Sequence, residues 1–175
     1  MSKRMLERFV RLCEIASPTG SERAVADDVV GELRTLGVEI IEDDSAAPAR
    51  AGAGNLIARV PGTGEGWVLF CAHLDTVPHE APVEVAFADG VYRSAGETIL
   101  GADNKAAVTV LVELAARAAV SPPRVGLELV FTVAEEDGLR GAKELDVGSL
   151  RPPLGFLFSP PPPTLEMGVG GPPHE

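Results

Sequence analysis

Three short stretches of this 175-residue chain carry side chains able to hold a metal ion or move a proton. The first is His73-Leu74-Asp75, which follows the apolar run Trp67-Val68-Leu69-Phe70-Cys71-Ala72. The second is Gly101-Ala102-Asp103-Asn104-Lys105 and the third is Ala134-Glu135-Glu136-Asp137-Gly138. An imidazole with several carboxylates and no cluster of thiolates suits zinc, manganese or cobalt in a catalytic centre better than a structural zinc site. Each stretch also has a plainer reading. A histidine and an aspartate at a strand end can be a satisfied structural pair, Asp103 can cap a helix, and Glu135-Glu136 can be a solvated charge pair. What distinguishes the readings is whether the fold brings the three together.

The elements around them say that it does. Residues 67–72 are apolar on both faces, and so are residues 127–134 apart from Glu128 and Thr132, as expected of strands inside a sheet covered by helices on both sides. Between them, residues 105–120 place apolar side chains at 107, 108, 111, 114, 115 and 118, which is helical spacing. Strand, helix and strand with connections of this length predict parallel neighbours. In open parallel sheets ligands collect beyond the carboxyl ends of the strands. His73 and Asp75 follow one strand, Glu135 and Glu136 follow the other, and Asp103 precedes the intervening helix at the same edge.

The rest of the chain completes the sheet and its cover. Leu6, Phe9, Val10 and Cys13 recur at helical spacing, and this first helix should stop before Ser17, because Pro18 disfavours helical geometry there. Thr19 and Glu22 read as a capping box that opens a second helix through Val25, Val29, Leu33 and Leu36 to Gly37. Strands are predicted at 38–42 and 55–60, with a hairpin over the site at 83–93 around Asp89-Gly90. The fold class expected is α/β, a three-layer sandwich with a mostly parallel central sheet. Ser159-Pro160-Pro161-Pro162-Pro163 and the Gly/Pro-rich residues 168–173 cannot form a core strand. Residues 1–158 therefore read as a partial catalytic domain and 159–175 as a poorly ordered tail.

Composition bounds the partners. A formal charge of -11 with no run of Lys or Arg argues against nucleic acid and against an anionic membrane. Cys13 and Cys71 sit in apolar segments and make no disulfide framework, which fits a reducing compartment. The amino terminus lacks the apolar core of a signal peptide and no apolar run reaches membrane-spanning length, so a cytoplasmic location is expected.

In this order, the motifs Ser17-Pro18-Thr19-Gly20-Ser21-Glu22, Gly54-Asn55-Leu56-Ile57-Ala58, His73-Leu74-Asp75-Thr76-Val77-Pro78, Gly101-Ala102-Asp103-Asn104-Lys105-Ala106 and Ala134-Glu135-Glu136-Asp137-Gly138-Leu139-Arg140-Gly141 strongly resemble the M20 family of co-catalytic metallopeptidases. The likeness is to its tripeptide aminopeptidase, carboxypeptidase G and aminoacylase types, whose fold is the zinc-exopeptidase sandwich. The resemblance implies two divalent ions, zinc first and cobalt or manganese next. It makes His73 a ligand of one ion, the Asp103 carboxylate a bridge between both, with the Asp103–Asn104 peptide often held cis, and Glu136 a ligand of the other. Glu135 would be the general base, and Asp75 would orient the His73 ring, in keeping with their i, i+2 spacing. The implied reaction is hydrolysis of a peptide or amide bond in a small peptide or N-acyl amino acid.

The chain also departs from that family. The resemblance implies a further strand at 154–158 followed by another metal-ligating aspartate, and Ser159 stands in its place. The family's final histidine ligand and its inserted lid or dimerisation domain have no counterpart, so the chain reads as truncated, short of ligands and weakly active alone, with any homodimer belonging to a full-length relative. His174 in the tail is not taken as the missing ligand, His79 reads as a loop residue, and Lys105 reads as a helix-start residue in a salt bridge. A non-catalytic α/β module that keeps the fold and works through protein contacts is the alternative. A phosphoesterase fits less well, because other hydrolases with His-x-Asp carry further histidines nearby.

Overall fold

The structure is a computed structural model that describes residues 2–158. The expected tail at 159–175, with Ser159 and His174, lies outside the described residues.

Helix α1 (Lys3–Glu14) is capped by Ser2, whose hydroxyl accepts the Met5 N–H, and buries Arg8, Leu12 and Cys13. Helix α2 (Arg23–Thr35) buries Val25, Ala26, Val29 and Leu33, the stripe that its spacing predicts. Gly37 then turns the chain at φ 72°, into strand β1 (Glu39–Glu42). Helix α3 (Ala46–Ala49), β2 (Leu56–Val60) and β3 (Trp67–His73) follow. Strands β4 (Val85–Ala88) and β5 (Val91–Ser94) form the expected hairpin, with Asp89 and Gly90 both at positive φ as a two-residue loop of this hand requires. Helix α4 (Ala102–Val120), β6 (Gly126–Thr132), α5 (Arg140–Glu144), a 3₁₀ turn (Val147–Ser149) and β7 (Gly155–Leu157) complete the order.

The main sheet runs β1-β2-β6-β3-β7. The pairs β3–β6 and β3–β7 are parallel, and β1–β2 and β2–β6 are antiparallel, so the sheet is mixed and its parallel part is the part that carries the site. Helices α1, α2 and α4 pack on one another and on one face, where Leu56, Ala58, Leu129, Phe131, Val108 and Leu111 share a core. Because side chains alternate along a strand, Glu128 points to the opposite face. There it is fully buried, accepts from Arg59 at 2.7 Å and is covered by the Arg151 N–H at 2.8 Å.

Complete cover on both faces, expected of the two apolar strands, is found only for β6. It is buried along its whole length, whereas Trp67 to Cys71 of β3 are half-buried. The reason is the neighbour: β7 is a three-residue edge strand, exposed throughout, against which Phe70 stacks on Phe156 and Phe158. Among the described residues no helix is long and apolar enough to cross a membrane.

Away from the sheet edge, Arg8 is buried between α2 and α4. It donates to Glu32 at 2.5 and 2.9 Å and to Glu113 at 3.0 Å. Burial alone would raise the Glu113 pKa, but hydrogen bonds from Arg8, Arg117 and Arg4 win and bring it down to about 2.

Candidate metal centre

Strands β3 and β6 run side by side in the same direction, with His73 opposite Thr132, so both chains leave the sheet at one edge. From β3 the chain continues through Leu74, Asp75 and Thr76, held by the Leu74 N–H to Thr132 O at 2.8 Å and by pairing of Thr76 with Ser17 and Thr19. From β6 it turns at Ala134, which has φ 49°, and this left-handed residue ends the strand two positions earlier than its apolar pattern suggests. Asp103 arrives from the third direction. Gly101 at φ 74° turns the chain, Asp103 is extended rather than helical, and the Asp103–Asn104 peptide is cis, as the resemblance implies. The Asn104 side chain donates to the Phe158 carbonyl at the end of β7.

The five polar side chains therefore meet at one edge. His73 Nε2 lies 3.1 Å from Asp103 Oδ1 and 3.9 Å from Glu135 Oε2. Ligand atoms of His73, Glu135 and Glu136 all lie within 4.8 Å of one another. His73 is buried and Asp103 half-exposed, so the ring is fixed while the carboxylate opens to solvent. His73 Nδ1 sits 3.0 Å from the Asp75 backbone carbonyl and 3.4 Å from its Oδ1. A carbonyl only accepts, so Nδ1 carries a hydrogen and Nε2 presents the lone pair in the neutral ring.

Asp75 orients more than the ring. Its buried carboxylate accepts the Glu135 N–H on Oδ1 at 3.0 Å, and on Oδ2 the Glu136 N–H at 3.1 Å and the Thr19 hydroxyl at 2.8 Å. Burial pushes the Asp75 carboxyl up, but His73 and these donors pull it below its ordinary value. For His73 burial lowers the pKa, and Asp75, Glu135 and Asp103 together outweigh it and hold it above the usual histidine value. Glu136 is raised, first by burial, against an opposing pull from His73 and with further upward pushes from Asp103, Glu135 and Asp75.

Two expectations change. Thr19 and Glu22 form no capping box: Thr19 donates to Asp75, and Glu22 at the start of α2 makes no side-chain cap. Both are drawn off by stronger demands from buried groups distant in sequence. Among the described residues Lys105 makes no salt bridge either. Its fully buried amine donates to Ser17 Oγ at 2.5 Å, which in turn donates to Leu74 O at 3.0 Å, and burial pushes its pKa down to about 8. His79 is a loop residue, as expected, with Nδ1 3.4 Å from Val77 O. Residues that the sequence reading missed as supports are Ser17, Thr19, Glu22, Asn55 and Lys105. Ser17, Thr19 and Asn55 share a signal, a polar side chain beside glycine or proline at the sheet edge, whereas Glu22 at the start of α2 and Lys105 within α4 carry none.

The chain matches the family model of Peptidase family M28 over residues 55–148, more than half its length. The Bacillus subtilis protein YqjE is 35% identical over 158 residues, covering 89% of this chain and 43% of the relative. Aminopeptidase PepT from Bacillus cereus superposes with a TM-score of 0.84 at 34% identity, covering 90% of this chain and 43% of that one. A tripeptidase from Staphylococcus aureus gives 0.83 at 32% identity, with the same coverage of 90% and 43%. The chain thus spans less than half the length of these relatives. It belongs to the co-catalytic metallopeptidases, within Peptidase family M28 by the model it matches and beside the M20-type tripeptidases by the motifs and structures it resembles.

Proposed function

We propose that this edge binds two divalent ions and serves hydrolysis of a peptide or amide bond, with His73, Asp103 and Glu136 as metal ligands and Glu135 as general base. One observation carries the reading. The lone pair of His73 Nε2 faces Asp103 Oδ1 at 3.1 Å and Glu135 Oε2 at 3.9 Å, so acceptors face an acceptor. Only a cation, a proton or a metal, satisfies such a cluster, and an imidazole with carboxylates is a donor set for zinc, cobalt or manganese. Bound there, divalent ions supply a nucleophilic water at neutral pH and polarise the scissile carbonyl.

The chain's own groups do the rest. Glu135, partly open to solvent, takes a proton from water and returns it to the leaving amine. Asp75 fixes the backbone of both glutamates, and its carbonyl fixes the His73 tautomer. A small peptide is the substrate that the relatives named tripeptidase and aminopeptidase favour, and an N-acyl amino acid presents the same bond. A cytoplasmic setting is supported by Cys13 and Cys71, free thiols that burial pushes to about 12.

Among the described residues the three proposed ligands, His73, Asp103 and Glu136, would give each of two ions two if Asp103 were common to both, where catalytic zinc normally has three. The 175-residue chain alone is therefore expected to bind zinc no more tightly than about micromolar and to turn over little. Zinc titration calorimetry on the chelator-stripped chain tests this: weak saturable binding that His73→Ala or Asp103→Ala abolishes is expected. Binding unchanged by both substitutions would refute the site, and submicromolar affinity for two ions would refute the ligand count.

A further inference from the structure

We infer that Glu22 is a positioning residue for the Glu135-Glu136 pair, acting through the backbone of Ala134; the inference rests on the reading of that pair as base and ligand. The support is a cradle in which three side chains from distant segments accept four successive backbone N–H groups. Asn55 Oδ1 takes Val133 at 3.2 Å, Glu22 Oε1 takes Ala134 at 3.2 Å, and Asp75 takes Glu135 at 3.0 Å and Glu136 at 3.1 Å. Leaving the end of a strand, these amides have no ladder partner, so on the N–H side it is these side chains that fix where the two glutamates point.

Glu22 is the member of the cradle that spans most. Fully buried, it also accepts the Gly20 N–H on Oε1 at 2.9 Å and the Gly52 N–H on Oε2 at 2.6 Å, tying the 17–22 turn and the 50–54 loop to Ala134. Ala134 is the residue that most needs holding. Its φ of 49° lies in the left-handed region, which a residue with a Cβ enters only when the surroundings impose it. The turn is also closed from its carbonyl side by Arg140 N–H to Ala134 O at 3.0 Å and Gly141 N–H to Val133 O at 3.1 Å, so the Glu22 bond completes a residue clamped at both ends. Relaxing Ala134 toward ordinary φ would rotate the following peptide and swing both carboxylates away from His73.

The two isosteric faces of Glu22 make the test specific. In Glu22→Gln the amide oxygen is best kept on the side that serves Gly20 and Ala134, leaving the NH2 against Gly52 alone, so the Ala134 bond survives. In Glu22→Ala it is lost. Amide hydrogen exchange on the metal-free chain is expected to speed at Ala134, Glu135 and Glu136 by tenfold or more in Glu22→Ala and to stay near the parent rate at Ala134 in Glu22→Gln. Zinc affinity is expected to fall about 10- to 100-fold in Glu22→Ala and to be largely restored in Glu22→Gln. Leu33→Ala, a core truncation in the same helix, controls for lost stability and should leave zinc affinity of the folded protein unchanged. Unchanged exchange at Ala134 in Glu22→Ala, or equal affinity loss in the Gln, Ala and Leu33 variants, overturns the inference. If the parent binds no zinc, the metal reading fails while the exchange rates still decide the role of Glu22.

Discussion

Replacing Asp75 by Asn strikes the buried group on which the site's backbone converges. The amide keeps the shape but turns one of two acceptor atoms into a donor. With NH2 at the Oδ2 position, Thr19 can turn its proton toward Thr76 O, 3.5 Å away, and accept from the amide, but the Glu136 N–H then meets a donor. With NH2 at Oδ1, it is the Glu135 N–H that meets one. Either way one buried backbone N–H is left unpaired, which costs about 1–3 kcal/mol, and each remaining bond loses roughly 1 kcal/mol of charge assistance. Relief of repulsion from Asp103 and Glu135 opposes this, but both are partly exposed, so screening keeps that gain below about 1 kcal/mol. The net loss is roughly 3–4 kcal/mol, a large share of a typical domain's stability, and corresponds to a melting midpoint lower by about 6–16 °C. Circular dichroism melts of the metal-free chain read it directly, and zinc calorimetry should show affinity down about 10- to 100-fold. A midpoint within about 2 °C of the parent with zinc affinity unchanged would refute the assigned role of Asp75.

Other expectations follow from the same geometry. His73 is held above its ordinary pKa, and below that pKa a proton occupies Nε2, so zinc affinity should fall about tenfold per pH unit on the acid side and level off above it; a flat calorimetric profile would contradict this. Glu113, at about 2 when folded against 4.5 when free, contributes stability that is whole above about pH 4.5 and lost as pH falls toward about 2; Glu113→Gln should lose about 3 kcal/mol at neutral pH and show a flatter acid limb in urea denaturation, and a parent-like limb would count against the Arg8 network. In Gly141→Ala the new Cβ would collide with the Val133 carbonyl and sit 2.7 Å from Asn55 Oδ1, both fixed in the cradle, so a loss of roughly 2–3 kcal/mol in thermal or urea unfolding is expected, and an unchanged midpoint would show that the cradle yields.

What the sequence disclosed was whatever periodicity and strand direction control. The apolar pattern of residues 127–134 and 105–120 was enough to bring Asp103, Glu135 and Glu136 to the edge that His73 and Asp75 occupy, because a parallel pair with its crossover helix leaves no other edge for them. The supports were hidden for a physical reason. Thr19-x-x-Glu22 has the local form of a capping box, and nothing within that window reveals that Asp75 and Ala134, 56 and 112 residues away, claim the two side chains instead. Lys105 reads as a helix-start residue in a salt bridge because lysine is rarely buried without a partner, and only the three-dimensional neighbourhood shows its amine enclosed with a serine hydroxyl. The half-exposure of β3 was likewise unreadable from its own apolar residues, since it depends on how short its neighbour β7 is. The antiparallel entry of β1 and β2 is a matter of sheet order, which hydrophobic pattern does not encode.

The central claim is that His73, Asp103 and Glu136 hold metal at the carboxyl edge of β3 and β6. Crystals of the 175-residue chain grown with zinc, with anomalous data collected on both sides of the zinc absorption edge, address it most directly. The expected result is an anomalous peak about 2.1 Å from His73 Nε2 that also contacts Asp103. Zinc peaks elsewhere on the chain, with none in contact with His73 Nε2, would contradict it.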